Sequence, residues 1–146
     1  MAVLRDRPYL ASNFRVEFGD DGAGAIAAGF CEVVFPDFVV RRATRARAQP
    51  GQAGSSANLV LRRGVQGSLD LYAWFDEERR GAPRGKARRP RDLYIRLLNE
   101  DQTADALTWR FTRVRPVRLA YSLLQSQASE VLVETIELEF ERMEMK

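Results

Sequence analysis

The sequence predicts a mainly β domain, a small barrel or sandwich of about eight short strands with one flanking α-helix. Three observations carry this reading. Apolar and polar residues alternate in several separate runs, turn residues punctuate those runs, and only one segment shows helical spacing. The 146 residues fit a single domain, 1–146, since domains most often run to roughly 100–150 residues. There is no internal repeat and no strand–helix–strand rhythm.

Phe14, Val16 and Phe18 alternate with Arg15 and Glu17, which describes a half-buried strand. A turn at Gly19-Asp20-Asp21-Gly22 follows. Phe30 to Phe35 is the second strand, stopped by Pro36, and Val39 to Arg42 is the third. The loop 43–56 has flexible turn chemistry in Pro50-Gly51 and Gly54-Ser55-Ser56, and Asn58 to Arg63 is the fourth strand. The helix runs from Ser68, its N-cap, to about Arg79, with Asp70 in the first turn where the helix dipole favours an anion. Its Leu71, Trp74 and Phe75 share a face that can press on a sheet, and Gly81-Ala82-Pro83 ends it. Leu93, Ile95 and Leu97 alternate in the next strand. Trp109 and Phe111 share one face of a strand that Pro116 limits, and Val117, Leu119 and Tyr121 alternate again. The last strand is Glu130 to Phe140. Its apolar phase moves from Val131 and Val133 to Ile136, Leu138 and Phe140, which implies a bulge, a bend or two differently covered faces. A long strand rich in Glu is hazardous as an open edge, and self-assembly is one way to cover it.

The chain reads as non-enzymatic, with no catalytic, cofactor or metal residue assigned. Histidine is absent, which removes Ser-His-Asp and Cys-His machinery, His-zinc sites and the usual base near neutral pH. Gly81-Ala82-Pro83-Arg84-Gly85-Lys86-Ala87 is one residue short of a phosphate loop, carries Ala where the magnesium hydroxyl belongs, and follows a helix. Cys31 is the only cysteine, so no intrachain disulfide forms; it reads as a small packed residue in a reducing compartment. Apolar runs fall far short of the about 20 residues of a membrane span, and the N-terminus lacks a secretory pattern. Assembly in a cytoplasm, without membrane insertion, is the corresponding expectation.

The net charge of +3 hides an asymmetry. Arg79, Arg80, Arg84, Lys86, Arg88, Arg89 and Arg91 form a basic run without an acid, and Arg41, Arg42, Arg45 and Arg47 form a second. The acids concentrate at Glu130, Glu134, Glu137, Glu139, Glu141 and Glu144. Such polarity attracts either copies of the same chain or nucleic acid. The nucleic-acid-binding barrel is the weaker alternative, because the run from Arg84 to Arg91 holds no aromatic residue for base stacking.

The order of segments is more specific than any motif. Phe14-Arg15-Val16-Glu17-Phe18 precedes Ala28-Gly29-Phe30-Cys31-Glu32-Val33, then Leu59-Val60-Leu61-Arg62-Arg63-Gly64-Val65 and the Trp74 helix. After these come Asp92 to Glu100, Trp109-Arg110-Phe111, Arg115-Pro116-Val117 and Ser129 to Leu138. Over nearly its whole length the chain resembles the tail tube protein family of contractile phage tails and extracellular contractile injection systems, which is similar in fold to the hemolysin-coregulated protein of type VI secretion. The resemblance implies a structural, tail-tube-like barrel whose copies form hexameric rings, stacked into a hollow tube. Its implied partners are further copies of itself, sheath and baseplate proteins, and cargo in the lumen. It also implies that the segment after Phe35 is an extended hairpin reaching neighbouring subunits, and that the helix lies near subunit contacts. Arg41, Arg42, Arg45 and Arg47 against Glu134, Glu137 and Glu139 of a neighbour, with Trp74 on the helix, are the candidate interface residues. The unusually basic segments leave two places in the particle open, the tube body and a tube-initiating ring at the baseplate.

Overall fold

The computed structural model describes residues 5–19, 26, 29–40, 58–81 and 91–146. Seven strands and one helix follow in the order β1 (Phe14–Gly19), β2 (Phe30–Val34), β3 (Leu59–Gly64), α1 (Asp70–Arg80), β4 (Arg91–Leu98), β5 (Asp105–Tyr121), β6 (Val133–Glu139) and β7 (Arg142–Met145). All pairings are antiparallel, in the order β1-β4-β5-β6-β3-β2, with β7 added on β5. The mainly β class with one helix is as expected. Among the described residues the barrel is not closed, since β1 and β2 end the hydrogen-bonded path.

One strand serves two sheets. Up to Val114, β5 pairs with β4, and its residues Trp109 to Thr112 also pair with β7; from Arg115 to Tyr121 it pairs with β6. The handover is local. Arg113 has φ 52°, and the β5–β6 register shifts between Pro116 and Arg118. Bulges of this kind bend a strand and increase its twist. Pro116 therefore does not end the strand as its residue type suggests. It sits at the irregularity, where a missing N–H is tolerated.

The two sheets, β1-β4-β5-β7 and β5-β6-β3-β2, enclose the core. Leu59 and Leu61 of β3, Leu93 and Ile95 of β4, Phe111 and Val114 of β5, and Ile136 and Leu138 of β6 are all buried. The helix adds Leu71 and Trp74, whose ring meets Phe18 edge-on at 5.3 Å and is covered by the Arg91 guanidinium. Elsewhere Phe35 lies 5.0 Å from Trp109, and Phe38 and Phe140 flank Phe111. The helix begins one position later than expected. Leu69 is its N-cap, while the Ser68 hydroxyl accepts from the Asp70 amide and Asp70 accepts from the amide of Leu71.

The expected phase change in the last strand is absent. β6 starts at Val133, so Val131 lies outside it, and the inward positions run Glu134, Ile136, Leu138 without a break. Glu134 is inward because it has a partner. Arg63, directly opposite on β3, donates from Nε to its carboxylate, and also donates to both carboxylate oxygens of Asp70 at the helix start. The Arg63 and Glu134 side chains are only 5% and 4% exposed. Burial alone pulls the Arg63 guanidinium down, but the hydrogen bonds to Asp70 and Glu134 outweigh it and raise its pKa above the ordinary arginine value. The expectation that the Glu-rich strand is an open edge is also overturned, because β6 lies between β3 and β5. The expected third strand is missing as far as it can be followed: Val39 and Val40 form no strand, and Arg41 and Arg42 lie outside the described residues. A short strand not anticipated, β7, takes its place in the count.

Replacing Arg63 by Ala removes the guanidinium from the buried Glu134 carboxylate and from the part-buried Asp70 carboxylate. Urea unfolding of the unassembled subunit is expected to lose about 3–5 kcal/mol, and Arg63→Met combined with Asp70→Asn and Glu134→Leu to recover about half of that or more. Equal stability of Arg63→Ala and the parent chain contradicts the buried network.

Candidate assembly surface

The second sheet, β5-β6-β3-β2, presents two borders of different character. At one end β2 pairs only with β3; at the other the Arg115–Tyr121 stretch of β5 pairs only with β6 among the described residues. Unpaired strand borders offer a row of N–H and C=O groups to another chain. Both carry exposed apolar side chains nearby. Beside β5 these are Val117 and Tyr121, then Leu123 and Leu124, each 80% exposed, and Val131 across the connection to β6. At the end of β2 and beyond it they are Val34, Val39 and Val40, the last 85% exposed. Large apolar residues grouped this way cost solvation unless a partner covers them.

The β5–β6 connection is held at its base and open at its tip. The Ser122 amide donates to the Val133 carbonyl and the Val133 amide to the Ser122 hydroxyl, both at 2.9 Å, while the Val65 amide binds the Leu132 carbonyl. Leu123 and Leu124 stand beyond this clamp. The Tyr121 hydroxyl is pushed up, by burial first and then by the charge of Glu134.

The outward faces of both sheets are charged and internally matched. On the second sheet Arg62 reaches Glu32 at 2.8 Å and Arg118 reaches Glu137 at 3.7 Å, while Arg115 stands opposite Glu139 in register. On the first, Arg96 bridges Glu17 and Asp105, Arg15 reaches the same two acids, and Arg110 binds Asp92 at 2.8 Å. The hydrogen bond to Asp92 is the main cause that raises the Arg110 pKa. Tyr94 lies between the guanidinium groups of Arg96 and Arg110.

The residues singled out in the sequence fall in three places. Arg41, Arg42, Arg45 and Arg47 lie outside the described residues. Trp74 and Glu134 are buried within the single subunit. Glu137 is part-buried, accepting from Asn58 Nδ2 at 2.8 Å, and Glu139 is exposed. Cys31, expected to be packed, is exposed on the border strand β2, its Sγ 3.5 Å from the Arg62 carbonyl. The exposed leucines and valines were missed. Their signal was two adjacent Leu residues in the connection after Tyr121, where turn chemistry calls for polar residues. No group of three His, Cys, Asp or Glu side chains that could hold a metal occurs among the described residues.

Open strand borders flanked by exposed apolar side chains define a structural, assembling subunit. The model of the T4-like virus tail tube protein gp19 family matches residues 10–144, and the chain belongs to that family. It is a tail tube protein. No curated protein sequence matches it. Among solved structures it is similar to a chain of the sheath–tube complex of the extracellular contractile injection system PVC, at 24% identity and TM-score 0.67, covering 97% of this chain and 93% of that one. A chain of the PVC sheath/tube terminator gives 24% identity and TM-score 0.71, over 97% and 98%. Hcp1 from Flavobacterium johnsoniae gives 16% identity and TM-score 0.57, over 90% and 93%.

Exposed tips contribute little to the fold of a single subunit. Leu123→Ser combined with Leu124→Ser is expected to leave the unfolding free energy within about 0.5 kcal/mol of the parent. The same pair of changes is expected to shift native mass spectra toward single subunits; an unaltered distribution of assembled species removes the connection from the assembly surface.

Proposed function

We propose that this chain builds the inner tube of a contractile injection system or phage-like tail, as hexameric rings stacked around a channel and enclosed by a sheath. The observation that carries the reading is the pair of unlike borders on one sheet. A contact between unlike borders is head-to-tail, and head-to-tail contacts close into rings when the rotation permits. The β2 border of one subunit meets the Arg115–Tyr121 border of the next, and Leu123, Leu124 and Val131 are covered in the same step. Past Val34 the described chain runs on to Val40 outside any strand. Support for six copies comes from the likeness to a chain of the anti-feeding prophage baseplate, solved with 6-fold symmetry, at 23% identity and TM-score 0.66.

Simple geometry then sets the bore. Six copies of a four-stranded sheet make a ring of about 24 strands, and with ordinary strand spacing and tilt its backbone diameter is roughly 40–50 Å. The core, the other sheet and the helix all lie on one face of this ring. They need the larger perimeter, so they lie outside and the charged face of β5-β6-β3-β2 lines the channel. Catalysis has no part in this reading; the interfaces are the function.

A second reading places the chain in a ring at one end of the tube, at the baseplate or the terminator, and the likeness to the PVC terminator chain favours it. Negative-stain electron microscopy of the purified full chain separates the two. Tubes of many rings are expected for the tube body, and single rings for an end ring. A chain that stays monomeric and binds DNA or RNA with a steep salt dependence contradicts both readings and returns the nucleic-acid-binding barrel.

A further inference from the structure

We infer that the channel wall is charge-compensated within each subunit and so passes polypeptide cargo of either sign without electrostatic retention. The inference rests on the reading above that the outward face of β5-β6-β3-β2 lines the lumen. That face carries six ionised side chains on its strands, Glu32, Arg62, Arg115, Arg118, Glu137 and Glu139. Each acid stands directly opposite a base in the strand register: Glu32 with Arg62, Glu137 with Arg118, Glu139 with Arg115. Two of these pairs are also in contact, Glu32–Arg62 at 2.8 Å and Glu137–Arg118 at 3.7 Å. The charges therefore cancel row by row, not merely in sum.

Row-by-row cancellation has a specific consequence in a narrow channel. A field from matched pairs falls off faster than that of single charges, and salt screens what remains over about 10 Å at 0.1 M. A wall of one sign concentrates mobile ions and cargo of the other sign and slows their exit. A protein surface carries patches of both signs, so a one-signed wall holds one patch or the other. The compensated wall holds neither. A uniformly anionic polymer, by contrast, travels best along a uniformly anionic wall, and here three of the six ionised side chains on the described strands of this face are cations. The geometry thus fits polypeptide cargo better than nucleic acid.

The test reads the potential inside the assembled tube with one small reporter. Thr135, in register between Arg62 and Ala120, is on the wall. Thr135→Cys is made in a Cys31→Ser chain, a coumarin maleimide is attached to the introduced thiol, and the tubes are assembled. Iodide and caesium quenching are compared with the same dye free in solution. With the native wall charges, the iodide-to-caesium quenching ratio is expected to stay within about 1.5-fold of the free dye at 0.1 M salt. Glu137→Gln raises that ratio about two- to fivefold and Arg118→Gln lowers it by a similar factor, from one uncompensated charge per subunit near the dye. A native ratio that departs from the free dye by more than about fivefold overturns the inference, and needs no charge variant to assemble. A separate measurement guards the underlying reading. If the thiol introduced by Thr135→Cys reacts, in unlabelled assembled tubes, with a bulky PEG-maleimide as fast as with the small reagent, the face is outside the channel and the proposal falls for that reason instead.

Discussion

Whether β5 stays one strand through Pro116 decides the rest of the architecture, because each of its halves anchors a different sheet. Its first half carries β4 and β7, and its second half carries β6. A strand that stopped at Pro116 would leave β6, β3 and β2 attached to the rest only by packing. Instead the chain bends at Arg113 and passes the proline at a register shift, where Pro116 faces Leu138. The bend turns the second sheet over the first, so that both bury their apolar faces against Phe111 and Val114. Past Val114, which stands opposite the first residue of β4, the stretch from Arg115 to Tyr121 pairs only with β6 among the described residues. Core formation and the exposure of an assembly border thus follow from one local irregularity.

The buried network of Arg63, Asp70 and Glu134 acts on the same geometry. Three ionised groups in a small core gain little net stability over a well-packed apolar set. Their effect is directional. Arg63 holds β6 through Glu134 and the first turn of α1 through Asp70, so the helix is tied to a particular row of the sheet. Strand register on a sheet with one buried face has little tolerance, because a one-residue slip turns every side chain to the other face. A cross-strand ion pair in the core resists such a slip, since it would part Glu134 from Arg63 and set Val133 or Thr135 opposite that buried guanidinium.

Much of the fold could be read from period and punctuation. The strands around Phe14–Phe18, Leu59–Arg63 and Leu93–Leu97 stand where alternation put them, and Leu71 and Trp74 face the core as their spacing implied. The failures share a cause, which is that a single strand's pattern contains no information about its partner. Glu134 looked like a surface residue because its counterpart is 71 positions away. With Glu134 assigned outward, the alternation in the last strand has to break, and the sequence implies a phase change that is not there. Pro116 misleads in the same way: its cost depends on which neighbour needs its missing N–H, and that is settled by pairing. The candidate surface was legible only in part. Charge runs are conspicuous in a sequence, whereas exposure of Leu123 and Leu124 depends on the clamp at Ser122 and Val133 that lifts the connection away from the core.

The borders also explain why such a chain can favour closed rings over indiscriminate strand pairing. The Arg115–Tyr121 border carries outward Arg115 and Arg118, and the β2 border carries outward Glu32. Pairing a border with its own copy would set like charges across from one another, Arg against Arg or Glu against Glu, and like charges directly opposite are destabilising. Pairing unlike borders brings basic and acidic rows together and continues the alternation already present inside each sheet. The discrimination costs no stability within the subunit, because each of these side chains already stands opposite a counter-charge of its own. The face of β5-β6-β3-β2 is therefore balanced in sum within the subunit while its two borders differ in sign.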